Sequence, residues 1–341
     1  MKIVVAGGAG FIGSHLCERL LADGHAVGCI DNLITGSKHN LDAIIRHRRF
    51  HFINEDVAEA ADLKADVIFH LASPASPVDY ERLPLETMAA NSLGTWRLGE
   101  IAIHSNAHLL YVSTSEVYGD PLVHPQPETY WGNVDPIGPR ACYDESKRFG
   151  EALVMSMRRA RGLSASIVRP FNTYGPRMRH DDGRAIPELV TAAIEGRPLT
   201  VHGDGSQTRS FMYVDDLVEG LVQVGLDRSS DGEVFNIGNP HEIAVSELAQ
   251  RIAEIVDTNL HIVEIPSRPG DPQRRKPDIE RMTSTYGWEP LVPLDVGLRL
   301  TIAAFKRAGA GATPALAQTG QPAKALGIQS IRTRSATSES T

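Results

Sequence analysis

The sequence GGAGFIG, at residues 7 to 13, places three glycines three residues apart between an apolar run and a helical pattern. The apolar run KIVVA (2 to 6) has the character of a buried strand. Glycine permits a tight turn and a close approach of backbone N–H groups to a pyrophosphate, which the helix N-terminus also attracts. A glycine pattern of this kind also occurs as a simple tight connection, so its meaning depends on the segments that follow.

Short apolar runs alternate with helical patterns through the first half of the chain. After KIVVA come AVGCI (26 to 30), DVIFH (66 to 70), HLLYV (108 to 112) and SASIVRP (164 to 170). Strands separated by helices favour right-handed crossovers, so this order predicts an α/β fold with a Rossmann-type doubly wound parallel sheet. Helices are expected on both faces of that sheet.

The pattern becomes less regular after about Asn172. We predict a dinucleotide-binding domain over residues 1–171 and a smaller C-terminal α/β substrate-binding domain over 172–305, with some interleaving of the chain. Within the second domain, VSELAQRIAEIV (245 to 256) has helical spacing. The composition from 306 to 341 cannot bury much apolar surface, and we therefore predict a disordered tail.

Charge and cysteine content limit the classes of partner. The formal net charge of −8 argues against nucleic acid or an anionic membrane as the main partner. Three cysteines without metal-like spacing indicate reduced thiols. The chain enters a strand at once, which leaves no room for a signal peptide, and no apolar run approaches the roughly 20 residues of a membrane span. We expect a cytoplasmic protein.

An acidic residue at the end of the second strand supports a dinucleotide site. Asp31 is placed to accept hydrogen bonds from the adenosine ribose and to repel a 2′-phosphate, which favours NAD over NADP. The alternative is a solvated turn aspartate in DNLITG. Asp56 and Val57 are candidates to flank the adenine, although Asp56 is equally suited to cap a helix.

Tyr143 and Lys147, in CYDESK, are four residues apart and therefore share one face of a helix. A phenol with a pKa near 10 needs roughly 4 kcal/mol of differential stabilisation to act as a base at neutral pH. One ammonium about 4 Å away, at an effective dielectric near 20, supplies about that much. We therefore predict that Lys147 activates Tyr143 to take a hydroxyl proton. A tyrosine packed beside a solvated lysine is the common alternative.

The strand HLLYV ends in STSEVYGDP (113 to 121), which delivers Thr114, Ser115 and Glu116 to one point. The carboxyl ends of parallel strands are where ligands bind in open α/β sheets. Thr114 is expected to hydrogen-bond the same substrate hydroxyl as Tyr143. By contrast, His70 is expected to end a strand rather than bind a metal, because no second ligand has suitable spacing.

In these motifs the sequence resembles the extended short-chain dehydrogenase/reductase family of nucleotide-sugar enzymes, over about residues 1–305. The matching segments, in the family's order, are GGAGFIGSH, DNLITG, HLASPASP, NSLGT, STSEVYG, YDESK, RPFNTYGPRM, GDGSQTRSF and YVDDLV. Within the family it is most similar to the UDP-glucuronate decarboxylases, also called UDP-xylose synthases. The most specific matches are HLASPASPVDY, STSEVYGDP, HPQPETYWGNVDPIGPRACYDESKR and RKPD (275 to 278).

The resemblance implies an NAD-dependent decarboxylation of UDP-glucuronate through a 4-keto intermediate. Sugar 4,6-dehydratases typically carry an aspartate directly before the glutamate, and 4-epimerases generally lack the glutamate. This chain has Ser115 before Glu116, the combination of the decarboxylases. The alternatives left open are a dehydratase or 4-epimerase of the same family, and a catalytically silent NAD-binding regulatory or scaffold protein.

The resemblance also assigns residues to each role. Glu116 and Arg275 are expected to position the carboxyl-bearing carbon and to relay the C5 proton; their alternatives are a capping acid and a surface ion pair. The expected cofactor-binding residues are Gly7, Gly10, Phe11, Ile12, Gly13, Asp31, Asn32, Thr35, Gly36, Asp56, Val57, Leu71, Ser73, Tyr143 and Lys147. The expected substrate-binding residues are Pro74, Ser76, Tyr80, Asn172, Arg179, Arg209 and Arg275.

Two apolar stripes, in residues 85–104 and in the helix of Tyr143, bear on assembly. A stripe by itself usually means a buried core. The family typically packs these helices across a two-fold axis as a four-helix interface, so the resemblance implies a homodimer.

Overall fold

A computed structural model describes residues 1–256, 260–266 and 274–309 of the chain. Fourteen strands occur in these residues: β1 (Lys2–Ala6), β2 (Ala26–Ile30), β3 (Phe50–Ile53), β4 (Val67–His70), β5 (His108–Val112), β6 (Ser164–Pro170), β7 (Thr173–Tyr174), β8 (Leu199–His202), β9 (Thr208–Ser210), β10 (Met212–Tyr213), β11 (Val234–Ile237), β12 (Glu242–Ala244), β13 (Ile262–Ile265) and β14 (Arg274–Arg275).

The helices of the same residues are α1 (Phe11–Ala22), α2 (Pro77–Arg82), α3 (Pro84–Ala89), α4 (Thr95–Ser105), α5 (Ala141–Arg161), α6 (Ala185–Ile194), α7 (Val214–Leu226), α8 (Val245–Val256), α9 (Glu280–Tyr286) and α10 (Leu294–Gly309). A π-helical segment, Ala90–Gly94, joins α3 to α4. The predicted helix at 245–256 is confirmed residue for residue.

Seven parallel strands form the central sheet, in the order β3-β2-β1-β4-β5-β6-β11. This is a Rossmann-type doubly wound sheet, as predicted. The strand order reverses between β1 and β4, and the crevice beside their carboxyl ends is where such folds bind ligands.

Alternation along the central strands explains the two layers of core. In β1, Val5 packs into one cluster with α1 and α7, whereas Val4 packs into a second cluster with α4 and α5. Leu109 and Leu110 of β5 divide in the same way. Successive side chains of a strand point to opposite faces, so fully apolar runs are the signature of a sheet covered on both sides.

The second half of the chain contributes to both parts of the molecule. The strand β11 pairs with β6 in the central sheet, and α7 contacts β4, β5 and β6. The remaining strands of this half form small sheets, β10-β7, β12-β9-β14 and β13-β8. The chain therefore interleaves between the central sheet and the smaller region.

The helix α10 extends past the predicted start of the tail at residue 306, and continues to Gly309. Leu298, Ile302 and Phe305 are buried at helical spacing and hold this helix on the core. Lys306 in the last turn complements the helix dipole. The prediction of a disordered tail is therefore wrong for residues 306–309, and the rest of the predicted tail, 310–341, lies outside the described residues.

Candidate active site

One cavity of about 950 Å³ lies along the carboxyl ends of the central strands. Every residue that the sequence nominated for cofactor binding, substrate binding or catalysis lines this cavity. Segments as distant as the glycine turn near the N-terminus and Arg275 on β14 are therefore brought to one place.

The glycine turn has the geometry of a pyrophosphate cradle. Gly7 has a φ of +82°, and a Cβ added to Gly13 would lie 2.1 Å from the Gly7 carbonyl oxygen. The helix α1 begins at Phe11 without a side-chain cap or an acidic residue in its first turn. Its first N–H groups have no intrahelical partner and border the cavity, so the turn fits a dinucleotide phosphate.

Asp31 lies at the end of β2 and is nearly fully buried. Its Oδ2 accepts a hydrogen bond from Ala9 N at 2.9 Å, and its Oδ1 accepts one from Leu33 N at 2.8 Å. Burial raises the pKa of Asp31, although the two backbone N–H groups oppose the rise. A Cβ on Gly36 would lie 2.9 Å from Asp31 Oδ1, so only glycine fits beside the carboxylate. The alternative of a solvated turn aspartate is thus wrong.

Asp56 does not cap a helix. Its Oδ1 accepts from Ala58 N at 2.9 Å within a turn, and its Oδ2 accepts from Asn32 Nδ2 at 2.8 Å. Asp56 and Asn32, which are both predicted cofactor-binding residues, are therefore joined by a hydrogen bond and both line the cavity.

Thr114 organises the turn that follows β5. Its side chain accepts a hydrogen bond from Glu116 N at 3.2 Å and caps the 3₁₀ turn Ser115–Tyr118. Behind it, Ser113 Oγ donates to Glu151 Oε1 of α5 at 2.6 Å. The turn is thus fastened to the helix that carries Tyr143.

Tyr143 and Lys147 are both buried on α5, and the Tyr143 ring stacks on Tyr80 with centroids 5.3 Å apart. Lys147 Nζ donates to Val112 O at 2.9 Å and lies 6.0 Å from the centroid of the Tyr143 ring. Burial raises the pKa of Tyr143 to about 12, against a hydrogen bond with Thr114 that lowers it.

The activation of Tyr143 by Lys147 stays a prediction, because it concerns the protein with NAD bound. Burial lowers the pKa of Lys147 to about 7, so its ammonium is only partly charged at neutral pH. Glu151, one turn farther along α5, opposes this effect and raises the pKa of Lys147. The sequence placed the two groups together, but it could not show the desolvation that both undergo.

Three arginines surround Glu116. Arg275 Nη1 donates to Glu116 Oε1, and Arg140 Nη2 donates to Glu116 Oε2. Arg209, the register partner of Arg275 between β9 and β14, adds a third positive charge nearby. Burial would raise the pKa of Glu116, but Arg275 and Arg140 outweigh it and hold the pKa well below its ordinary value. Arg275 is buried and the Glu116 side chain is only 15% exposed, so the alternative of a surface ion pair is wrong. The side chain of Thr114, and not that of Glu116, caps the turn.

Sequence reasoning missed Arg140 and Asp144. Arg140 Nε lies 3.7 Å from Asp144 Oδ2, and Asp144 is buried behind the cavity wall. Burial and the nearby Glu116 raise the pKa of Asp144 to about 7, against the opposing effect of Arg140. The available signal was spacing, because residues 140 and 144 bracket Tyr143 at helical distance.

The predicted substrate residues Ser76 and Arg179 meet at Asp79, which the sequence analysis also missed. Ser76 Oγ caps α2 and donates to Asp79 Oδ2 at 2.8 Å. Arg179 Nη1 lies 3.0 and 3.1 Å from the two Asp79 oxygens, and its Nε is paired with Asp181 at 2.9 Å. Both predicted side chains are therefore held by protein carboxylates at the cavity wall.

Arg184 is a further cavity residue that the sequence did not single out. It pairs with Asp182, and its charge lowers the pKa of the nearby Tyr143. Asn172 and Arg209 also line the cavity, and Arg209 donates Nη1 to Thr208 O at 2.9 Å.

His70 ends β4, as predicted, and is buried. Its Nε2 lies 3.0 Å from Thr95 Oγ1, and burial lowers the pKa of its imidazole to about 3. His70 is therefore neutral, and the nearby charge of Lys147 also lowers its pKa.

A family model described as the NAD dependent epimerase/dehydratase family matches residues 3–238. The chain belongs to this family. The resemblance on which the sequence analysis relied is thereby confirmed, and so is NAD as the cofactor of the family. Among the described residues of this family member, no helix combines the length and the apolar character needed to cross a membrane.

Curated relatives and solved structures of the family narrow the comparison. UDP-glucuronic acid decarboxylase 1 of Danio rerio is 48% identical over 306 residues, which is 90% of this chain and 73% of that protein. UDP-glucuronic acid decarboxylase 3 of Arabidopsis thaliana is 48% identical over 301 residues, 88% of this chain and 87% of that protein. UDP-glucuronic acid 4-epimerase from Bacillus cereus, solved with UDP-glucuronic acid and NAD, is 31% identical with a TM-score of 0.82, covering 90% of this chain and 100% of that one.

Proposed function

We propose that the chain is an NAD-dependent decarboxylase that converts UDP-glucuronate to UDP-xylose. The observation that carries the proposal is the largely buried carboxylate of Glu116, held by Arg275 and Arg140 in the same cavity as Tyr143 and Lys147. The curated decarboxylases that are 48% identical to the chain support the same assignment.

The cofactor would lie across the glycine turn, with its adenosine ribose at Asp31 and its pyrophosphate at the start of α1. When bound, NAD supplies a hydride acceptor at C4 of the sugar and later returns the hydride. Lys147, whose Nζ is fixed by Val112 O, would lie beside the nicotinamide ribose and Tyr143.

Tyr143 takes the proton of the C4 hydroxyl, while Thr114 holds the same oxygen by a hydrogen bond. A phenol with a pKa of about 12 in the protein alone needs nearby positive charge to act as a base. The protonated fraction of Lys147 and the positive nicotinamide of bound NAD would provide such charge. Oxidation at C4 gives a 4-keto-uronic acid, in which the carboxylate lies β to a ketone.

Loss of carbon dioxide breaks the C5–C6 bond, and the electron pair passes into an enolate that Thr114 and the protonated Tyr143 stabilise. Glu116 is a fixed negative charge in the wall that would face the carboxyl-bearing carbon, so it favours the departure of the carboxylate as neutral carbon dioxide, whereas Arg275 and Arg140 attract the carboxylate as it binds. Arg275 sets the position of Glu116 through their buried pair. Protonation at C5 and re-reduction at C4 complete UDP-xylose.

The experiment is to incubate the NAD-loaded chain with UDP-glucuronate and to measure carbon dioxide and product mass. We expect stoichiometric carbon dioxide and UDP-xylose, and strongly reduced release with Tyr143→Phe and with Glu116→Gln. Lys306→Gln, on the last turn of α10, is a matched surface control that should leave release unchanged.

A 4-epimerase is the second candidate, because the Bacillus cereus enzyme solved with UDP-glucuronic acid shares this fold. It would return a uronic acid of unchanged mass and no carbon dioxide. A 4,6-dehydratase is disfavoured, because Ser115 stands where an aspartate would be needed. Unchanged UDP-glucuronate, with efficient conversion of a neutral hexose nucleotide, would refute the decarboxylase proposal.

We also propose that the chain forms a homodimer through α3, α4 and α5. Leu85, Met88, Leu93, Trp96 and Phe149 are large apolar side chains that these helices and the π-helical segment leave exposed. Exposed apolar side chains grouped on adjacent helices are characteristic of an interaction surface.

Light scattering at micromolar concentration tests the dimer. The parent chain is expected to have the mass of two copies, and Trp96→Glu the mass of one. Leu291→Glu changes a more exposed apolar residue outside these helices and should leave the dimer intact. A monomeric parent chain would contradict the proposal.

The cytoplasm is the compartment we propose. Cys17 and Cys29 are both buried and both free thiols, although a Cβ at Gly8 would meet their sulfur atoms at 3.1 and 2.6 Å. Adjacent thiols that remain reduced suit a reducing compartment. Fractionation of the source cells would test this, and recovery outside the cytoplasm would contradict it.

A further inference from the structure

Asp144 is a buried carboxylate next to the wall that Arg275, Glu116 and Arg140 form. Arg140 bonds Glu116 through Nη2 and faces Asp144 through Nε at 3.7 Å, so this arginine is shared by two carboxylates. Among the described residues, Asp144 Oδ1 is buried and has no hydrogen-bond partner. Asp144 does not itself line the cavity, whereas the other three do.

Two carboxylates that share one guanidinium in a buried site favour a state in which one of them carries a proton. Glu116 accepts from two arginines and stays ionised. Asp144 has only a longer contact with Arg140, so it is the member that takes up a proton. The raised pKa of Asp144, about 7, agrees with this assignment.

The charged and titratable groups that surround Asp144 come from four elements. They are Arg140, which directly precedes α5, Tyr143 and Glu145 on α5, Glu116 on the 3₁₀ turn, Arg275 on β14 and Tyr80 on α2. Protonation of Asp144 removes one negative charge from this group, which favours an anionic ligand against the wall.

We propose that Asp144 takes up one proton from solvent when the C5 carboxylate of UDP-glucuronate binds against the Arg275–Glu116–Arg140 wall, and releases it after that carboxylate has left as carbon dioxide. The inference rests on the proposed function. When the C5–C6 bond breaks, its electron pair enters the enolate and C5 then gains one proton. Over one turnover Asp144 takes up one proton at binding and releases one after decarboxylation, while C5 gains one proton. The net uptake is therefore one proton per turnover, and it appears when the substrate binds. Asp144 is a positioning residue, because it acts through Arg140 and not on the substrate.

The test compares two ligands that share the UDP moiety. Titration calorimetry in buffers of different ionisation enthalpy counts the protons taken up by the NAD-loaded chain, in a Tyr143→Phe background that prevents turnover. We expect between about half and three quarters of a proton per UDP-glucuronate bound at about pH 7.5, and essentially none for UDP-glucose, which lacks the carboxylate.

Asp144→Asn mimics the protonated state and should bind UDP-glucuronate without proton uptake. Glu233→Gln removes an acid that does not line the cavity, and should behave as the parent. Undiminished uptake in Asp144→Asn would overturn the proposal. Binding of UDP-glucose with parental affinity shows that the variant is folded.

A second measurement does not depend on any substitution at Asp144. Infrared difference spectra of the Tyr143→Phe chain should show a protonated carboxyl C=O band that appears with UDP-glucuronate and is absent with UDP-glucose. Equal proton uptake for the two nucleotides, or no such band, would overturn the inference. If the unsubstituted chain still releases carbon dioxide, the proposed function survives that result. Failure of UDP-glucuronate to bind would overturn both.

Discussion

Arg275→Met tests whether Glu116 is held as a buried carboxylate by its arginine neighbours. Arg275 is 3% exposed, bonds Glu116 through Nη1 and donates Nη2 to Gly119 O at 3.1 Å. Removing one partner of a buried pair ordinarily costs about 3–5 kcal/mol of unfolding free energy. Because Arg140 remains bonded to Glu116, we expect a loss of about 2–3 kcal/mol.

Urea unfolding of the chain without cofactor measures this loss, and a double variant isolates its cause. Adding Glu116→Gln to Arg275→Met removes the charge left without its arginine, and should restore about 1–2 kcal/mol. Arg274→Met is the matched control, because its side chain is 62% exposed, and it should change stability by less than about 0.5 kcal/mol.

The pH dependence gives an independent check. Glu116 has a depressed pKa in the folded chain, so its contribution is present above the unfolded value near 4.3 and is lost as the pH falls below it. Arg275→Met raises that pKa and should reduce the acid-dependent loss. A single variant as stable as the parent, or a double variant no more stable than the single one, would refute the buried-pair reasoning.

Three further substitutions follow from the site. Gly13→Ala places a Cβ 2.1 Å from a backbone oxygen of the glycine turn, and should lower NAD affinity in fluorescence titration at least about tenfold. Gly162→Ala is the control, because a Cβ there meets nothing within 4 Å, and it should leave the NAD affinity unchanged. Lys147 has a pKa of about 7 in the folded chain and near 10.4 in the unfolded chain. The free energy of unfolding of the cofactor-free parent chain should therefore rise by up to about 1.4 kcal/mol per pH unit between these two values. In urea unfolding, Lys147→Met should lack this rise. Tyr143→Phe should lower kcat for carbon dioxide release by about 10³-fold with little change in thermal stability; parental kcat would remove the phenol from the chemistry.

The central strands were predictable because each is a short run of apolar residues whose pattern does not also fit a helix. KIVVA, AVGCI, HLLYV and SASIVRP coincide with β1, β2, β5 and β6 at both ends. The bounds of β3 were not predicted, because His51 is exposed and Phe52 and Ile53 are only half-buried in an edge strand. An edge strand lacks the continuous burial that marks its neighbours.

The small sheets of the second half were not predictable from local pattern. The strands β9 and β14 have three and two residues, and their pairing joins segments more than 60 residues apart. That pairing places Arg209 beside Arg275, and hence beside Glu116. Short strands carry little periodic signal, so their partners are decided by tertiary packing.

In the site, too, local spacing predicted which residues share a helix, but it did not predict their surroundings. Tyr143 and Lys147 could be placed on one helix from their spacing, as α5 confirms. Their pKa values could not be predicted, because desolvation depends on groups that only folding brings together. The contacts of Arg140 with both Glu116 and Asp144 could not be predicted for the same reason.

The most direct test of the central claim uses UDP-glucuronate that carries deuterium at C4. Oxidation and re-reduction at one carbon, with loss of the neighbouring carboxylate, predicts UDP-xylose that retains deuterium at C4 and gains a solvent hydrogen at C5. Carbon dioxide should appear in equal amount, with the bound NAD oxidised at the end. Product that has lost the C4 deuterium to solvent, or deuterated uronic acid returned without carbon dioxide, would contradict the mechanism.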